Sequence, residues 1–469
     1  MRGKVCCVVI VALAAALAVQ AGGTVTVESI YSEALGENRS VLVYLPEGYT
    51  SSGRDYPVIY YLHGAGGQPG AWYLTDYFPV LDDLIADGVV DPAIIVEPDS
   101  ATCASPLEWR QQGLYGRLWT FHANSDLLGH TEDYLAEDLV AWVDDRYHTV
   151  PDRDHRLIVA RSMGGHGAMR LTMRHPETFG GASIDAGFME ILDDQVMRRL
   201  TYVRALTPGP PYDFSPLNDA YSEDVFNFCA AFTPNLANPP WFVDFILDSD
   251  GEVDQSVYQR MAAQSVTALV ADYAASDPEL PVDLFFRIGD HDEFADTFWP
   301  VIDALETNSV PHLLRVFGGS HWVPDDGSKI AVQMSYFMPL KATAELSPRV
   351  ADPRLHPNLL RVAVELPGDL DVADIDCSTL ALIDIDGARL DCPIGCTRTC
   401  EVSDVNGNGR DDLSVWLPCD RVARAAVDAG ASAGDQIELT IRGELTDGRF
   451  FAAADTVTLG AEPDPVAVD

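Results

Sequence analysis

Hydrophobic positions along the chain switch between a period of two and a period near 3.6. Arg39-Ser-Val-Leu-Val-Tyr-Leu45 alternates and stops at Pro46, while Tyr56-Pro-Val-Ile-Tyr-Tyr-Leu62 is a continuous apolar run that ends in a glycine-rich turn. Pro92-Ala-Ile-Ile-Val96 and Arg156-Leu-Ile-Val-Ala160 are further runs of the buried-strand kind. Between those two, Leu135, Leu139, Trp142, Val143 and Tyr147 recur at helical spacing and predict a helix with one apolar face. Strands alternating with helices imply an α/β fold, a mostly parallel sheet with helices on both faces.

The rhythm breaks over residues 188–280, where Pro-Gly-Pro-Pro at 208–211 and Asn-Pro-Pro at 238–240 are interspersed with Phe226, Phe228, Trp241 and Phe242. An insertion of that length between two strands is usually functional. Strands resume with Val282–Ile288 and His312–Phe317. Beyond Lys341 the character changes. Ser347-Pro348 and Asp352-Pro353 read as a linker, Leu360–Leu366 and Gln436–Ile441 alternate, and Asp447-Gly448 marks a hairpin turn. The expected organisation is a domain over 22–342 with the insertion at about 188–280, followed by a β-sandwich-like domain over 343–469.

At the start, Arg2 and Lys4 precede an apolar stretch from Val5 to Val19 and then Gln20-Ala21-Gly22. A charged segment, a short apolar core and a small-residue cut site predict a signal peptide over 1–21, hence a secreted or periplasmic protein. No other stretch is long enough to span a bilayer after cleavage. An oxidising compartment makes disulfides the expected use of the cysteines. Five of them, Cys377, Cys392, Cys396, Cys400 and Cys419, lie close together, enough for two bridges with one left over to reach Cys103 or Cys229, with the connectivity not readable from spacing.

The charge balance narrows the partners. With 72 Asp and Glu against 30 Lys and Arg, the formal charge is -42. Nucleic acid is excluded, because a phosphate backbone is held by clustered Lys and Arg that release its counterions. An anionic membrane surface is excluded for the same reason.

The candidate chemistry centres on Leu157-Ile-Val-Ala-Arg-Ser162-Met-Gly-Gly-His-Gly167. A buried strand runs into a small-residue turn and then a helix, the context of a nucleophile elbow with Ser162 at its tip. Ala160 stands where the first glycine is usual. A serine hydroxyl needs a base, and the base an orienting carboxylate, in the chain order Ser, acid, His. Gly289-Asp-His-Asp-Glu293 and Gly318-Gly-Ser-His321 each follow a late strand. His321 is the expected base and Asp292 its acid, with Asp290 and Asp185 as the other candidates. His63, His166 and His291 are read as structural. The tetrahedral oxyanion needs two preorganised N–H donors. Met163, at the amino end of the elbow helix, and Ala65, in the turn Leu62-His-Gly-Ala65-Gly-Gly67, are the expected pair.

These residues resemble a known family. Arg39–Tyr49, Tyr56–Gly64, Ser162-Met-Gly-Gly-His-Gly-Ala168, His175-Pro-Glu-Thr-Phe179 and the Gly-Gly-Ser-His of 318–321 resemble the esterase-D-like branch of α/β-hydrolases. That branch includes S-formylglutathione hydrolases, feruloyl and acetylxylan esterases, and mycolyltransferases of the antigen 85 type. The resemblance covers residues 30–340. It implies a serine esterase acting through an acyl-enzyme on Ser162, with no catalytic cofactor, on a small-molecule or polysaccharide-linked ester. The alternatives are an acyltransferase using the same chemistry, or an inert extracellular binding protein.

A second feature is Asp404-Val-Asn406-Gly-Asn408-Gly-Arg410-Asp-Asp412, with oxygen side chains at alternate positions. Calcium is a hard ion satisfied by such oxygens. The expected ligands of a structural calcium are Asp404, Asn406, Asn408, the Arg410 carbonyl and Asp412. Val415 stands where an EF-hand loop has its bidentate Glu, so the loop is of a shorter type.

Overall fold

The computed structural model describes residues 22–65, 67, 78–86, 90–101, 119–192, 227–239, 242–246, 253–276, 280–321, 328–354, 358–396 and 399–460. The expected signal peptide and Cys103 lie outside them. The chain divides into two compact units, Met1–Phe78 with Pro92–Pro324, and Pro79–Asp91 with Asp325–Asp469.

The first unit is built on an eight-stranded sheet of β1 (Thr24–Ser32), β2 (Glu37–Leu45), β3 (Val58–Leu62), β4 (Ile94–Pro98), β5 (Arg156–Arg161), β6 (Gly181–Asp185), β7 (Asp283–Gly289) and β8 (Leu313–Phe317). Their spatial order is β1-β2-β4-β3-β5-β6-β7-β8. β2 runs antiparallel to β1 and β4, and all pairings from β4 to β8 are parallel. Every residue of β3, β4 and β6 is buried. A strand buried along its whole length must be covered on both faces, which is why these strands read as unbroken apolar runs. At one edge, β8 is only half-buried and pairs with β7 alone.

One helix falls where the periodicity places it. The one expected around Leu139 opens with a π turn over Tyr134–Asp138 and continues as α1 (Leu139–Arg146). Leu135, Leu139 and Val143 are buried, whereas Trp142 and Tyr147 only pack against the core. α2 (Gly164–Arg174) follows the elbow, and α3 (Gln255–Ala262), α4 (Val266–Ala275) and α5 (Ala295–Thr307) complete the unit's long helices among the described residues. Asp254 caps α3 by accepting from the Ser256 and Val257 N–H groups, and Ser265 caps α4 by accepting from Ala268 N–H.

The stretch 188–280 is not one insertion. Val266, Leu269 and Val270 of α4 belong to the main core, so α4 is the crossover helix between β6 and β7. The part before it builds a second apolar cluster, in which Phe188, Phe228, Phe232 and Met261 pack with Phe121 and Met163.

The second unit has two sheets among the described residues. One holds Thr343–Ser347, Leu359–Glu365, Asp412–Pro418 and Glu401–Ser403, antiparallel throughout. The other centres on Ile375–Ile385, Gln436–Leu445 and Phe450–Leu459. The Leu346 N–H donates to Asp455 and ties one sheet to the other. Asp447-Gly448 turns the last hairpin, with Gly448 at φ 88°, a conformation that glycine adopts without steric cost. The unit begins before the expected 342/343 boundary. Helix α6 (Ser328–Phe337) belongs to it: Tyr336 packs edge-on against Phe450, and Ser335 Oγ accepts from the Phe450 N–H at 3.0 Å. A disulfide joins Cys377 and Cys400. Cys229, Cys392, Cys396 and Cys419 are free, so the expected second bridge within the cluster does not form.

Candidate active site

β5 delivers Ser162 into a tight turn, where its backbone adopts φ 52°. A non-glycine residue held in the left-handed region is strained, and a strand that must reverse into a helix within two residues imposes it. The turn is possible because its neighbours lack side chains. A Cβ on Gly164 would lie 2.2 Å from the Leu62 carbonyl oxygen, and one on Gly165 would lie 2.9 Å from the Gly187 Cα. Ala160, in the usual glycine position, is fully buried in β5 with its methyl accommodated.

Ser162 Oγ lies 3.1 Å from His321 Nε2, and His321 Nδ1 lies 3.2 and 3.1 Å from the two Asp292 carboxylate oxygens. A carboxylate only accepts, so Nδ1 carries the proton and Nε2 is left to accept from the serine hydroxyl. Asp292 and His321 are both buried, and the Phe294 ring stands edge-on to the imidazole at 4.6 Å. Asp292 also accepts the Phe294 N–H at 2.8 Å. The three residues picked out along the chain therefore meet in one hydrogen-bonded line.

The loops after β7 and β8 are zipped together. Asp290 N–H donates to the Phe317 carbonyl, His291 N–H to the Gly319 carbonyl, and Gly319 N–H to the Asp290 carboxylate. That use separates Asp290 from Asp292. Asp185, the third candidate acid, is buried with its carboxylate 3.8 Å from Arg287. Gly289 must be glycine here, because a Cβ would lie 2.3 Å from the Gly319 carbonyl oxygen.

Met163 begins α2 and is buried, and Ala65 sits exposed in the turn after β3. That turn abuts the elbow: a Cβ on Gly64 would lie 3.1 Å from the Ser162 Cβ. Among the described residues, no hydrogen bond engages the N–H of Met163 or of Ala65.

The other histidines have internal partners. His63 Nδ1 donates to the Gly64 carbonyl, and its Nε2 meets Ser100 Oγ at 3.0 Å. His166 donates from Nδ1 to the Met189 carbonyl, and His291 is exposed beside Asp290. Three residues at the site escape a reading of the sequence. His122 is fully buried and donates from Nε2 to the His63 carbonyl, supporting the turn that carries Ala65. Arg161 donates to the His321 carbonyl at 2.6 Å, and Glu293 accepts the His321 N–H at 3.0 Å. The only signal for the last two is their position beside Ser162 and Asp292.

The loop expected to hold calcium lies in the second unit and closes on itself. Asp404 accepts three backbone N–H groups, from Gly407, Asn408 and Gly409. Asn406 and Asn408 accept from Asn408 and Arg410 N–H, and both donate their amides to Glu365. Asp412 accepts from Val405 N–H, and the Arg410 guanidinium pairs with Glu365 and donates to the Leu366 and Gly368 carbonyls. These oxygens are satisfied by the loop's own donors, with a cation already present in Arg410. Among the described residues, no group of three or more His, Cys, Asp or Glu is placed to hold a metal ion. The expected calcium is therefore not supported.

Comparison with known proteins places the chain in a family. The family described as "Putative esterase" matches residues 32–311. An endo-1,4-beta-xylanase/feruloyl esterase of Xylanibacter ruminicola is 30% identical over 163 residues, 34% of this chain and 21% of that protein. Esterase Rv1288 of Mycobacterium tuberculosis is 30% identical over 158 residues, 33% of this chain and 30% of that protein. The chain thus spans less than a third of the length of these two relatives. Among solved structures, a ferulic acid esterase aligns over 64% of this chain and 91% of its own, at 22% identity and TM-score 0.43. An S-formylglutathione hydrolase from Agrobacterium tumefaciens aligns over 65% and 90%, at 18% identity and TM-score 0.40. With more than half of its length matched, from β2 to the eve of β8, the chain belongs to the esterase family.

Proposed function

We propose that the protein is an exported serine esterase that cleaves carboxylic esters through an acyl-enzyme on Ser162. The observation that carries this reading is the hydrogen-bonded line from Ser162 Oγ through the His321 imidazole to Asp292. Ser162 Oγ attacks the ester carbonyl while His321 Nε2 takes its proton, and Asp292 holds the Nδ1–H and stabilises the imidazolium that forms. The tetrahedral oxyanion is held by the N–H groups of Met163 and Ala65, with the positive end of α2 adding to the first. His321 then protonates the departing alcohol. In the second half, water gives a proton to the same nitrogen as its oxygen bonds to the acyl carbon, and the acid leaves as the Ser162 Oγ–acyl bond breaks and Oγ takes that proton back. No cofactor enters these steps.

Export follows from the sequence pattern of residues 1–21. The substrate we assign is an acyl ester borne on a polysaccharide. This is supported by the predicted export and by the Xylanibacter relative, which is named for both xylanase and feruloyl esterase. Purified enzyme is assayed on a simple p-nitrophenyl ester, a feruloylated oligosaccharide and an acetylated xylan, beside Ser162→Ala. The expected result is turnover of at least one polysaccharide ester, with loss of about 10⁴-fold or more in kcat for the variant. Full activity in Ser162→Ala would refute the nucleophile. Turnover confined to the simple ester would refute the substrate class.

A further inference from the structure

The base hangs from one edge of the sheet. β8 is an edge strand, half-buried along its length, and His321 lies four residues beyond its end. Two side chains hold the backbone of His321, one on each polar group of the residue: Glu293 Oε2 accepts its N–H at 3.0 Å, and Arg161 Nη2 donates to its carbonyl at 2.6 Å. Both come from positions next to the residues His321 must serve. Arg161 immediately precedes Ser162, and Glu293 immediately follows Asp292.

We infer that Arg161 and Glu293 are positioning residues that clamp the backbone of His321, and so fix the imidazole between nucleophile and acid. The inference rests on the reading of Ser162, His321 and Asp292 as the catalytic line. Its physical basis is the small tolerance of proton transfer, since a displacement of about 1 Å at a catalytic group costs on the order of 10²-fold in rate. The zipped bonds of Asp290 and His291 hold the backbone at Phe317 and Gly319, two residues before the base. Beyond that point, the Asp292 contact orients the ring, and the clamp locates the peptide from which the ring projects. Because each jaw is a chain neighbour of a triad member, a movement of Ser162 or Asp292 carries the base with it.

The clamp asks Glu293 for an acceptor oxygen, not for a charge. Glu293→Ala is therefore expected to lower kcat roughly 10- to 100-fold with KM within about twofold. Glu293→Gln, which keeps an oxygen at the same reach, is expected to recover most of that loss and to leave the acid limb of the kcat/KM–pH profile in place. Arg161→Gln should give the same split through the other bond. Glu293 is exposed, so its variants test position without opening the core. A Glu293→Ala enzyme within twofold of the parent would overturn the clamp. So would a Glu293→Gln enzyme as slow as the alanine variant, or one with a shifted acid limb, since either makes the carboxylate an electrostatic partner. His321→Ala run alongside separates the two levels. If it retains activity, the catalytic line itself fails; if it is inactive while Glu293→Ala is normal, only the clamp fails.

Discussion

His122 packs against the start of α2 and His166 lies in its first turn, and both are fully buried. Burial pushes the imidazole of His122 well below its usual range, with neighbouring His63 adding to the effect. Burial, then the charge of Arg170, pushes His166 down to about 3. Both stay neutral in the fold, which suits their use as single donors to the carbonyls of His63 and Met189. In the unfolded chain they titrate near 6.5. Below that pH the unfolded state binds protons that the folded state refuses, so stability is fully present above about pH 6.5 and falls as the pH drops. Glu132 acts lower down. Burial raises its carboxyl, but the His175 hydrogen bond and the charges of Arg170 and Arg174 outweigh this and hold it at about 2. Its contribution is lost as the pH falls from about 4.5 toward 2. Urea unfolding at a series of pH values should show a plateau above about pH 7 and a decline that begins near 6.5. A free energy unchanged between pH 7 and 5 would contradict the buried neutral histidines.

At the level of elements, α2 is held at both ends. Its start is the elbow, and along its length Arg170 pairs with Glu132 in the interior and donates to Gln264 at 2.6 Å, while Arg174 and His175 reach the same Glu132. Glu132 thus joins α2 to the turn that leads into α1. Glu132→Ala leaves the Arg170 guanidinium buried without its counter-charge, and should cost about 3–5 kcal/mol in urea unfolding. A loss below about 1 kcal/mol would mean that the pair does not hold the helix. The strands of the main sheet were legible along the chain because they are buried on both faces. β3, β5 and β7 appear within a residue or two of the apolar runs that announce them. Ser162, Asp292 and His321 were legible because each follows a strand in a fixed order. Arg161 and Glu293 were not, since their partner lies 160 and 28 residues away and nothing in their local pattern separates them from surface charges. The unit boundary was missed for a similar reason. α6 has an ordinary helical sequence, and its attachment to the second unit depends on Phe450, more than a hundred residues later. The Asp404–Asp412 loop shows the opposite error, because an alternating run of Asp and Asn writes both an ion cage and a set of side-chain-capped turns.

For the molecule as a whole, the proposed site lies entirely in the first unit, with every contributing residue between Leu62 and His321. The second unit is built on mostly antiparallel sheets and, apart from Pro79–Asp91, lies beyond the residues that the family matches. No helix among the described residues is long and apolar enough to cross a membrane. The formal charge of -42 keeps polyanions away and leaves uncharged esters free to approach. The proposed mechanism requires that Ser162 be the residue acylated in turnover. Treating the full chain with a fluorophosphonate, and following intact mass, peptide mass and esterase activity together, tests it directly. The expected result is a single adduct per chain, located on the peptide that contains Ser162, with activity lost in proportion to labelling. Activity that survives complete labelling of Ser162, or is lost with the adduct on another residue, would contradict it.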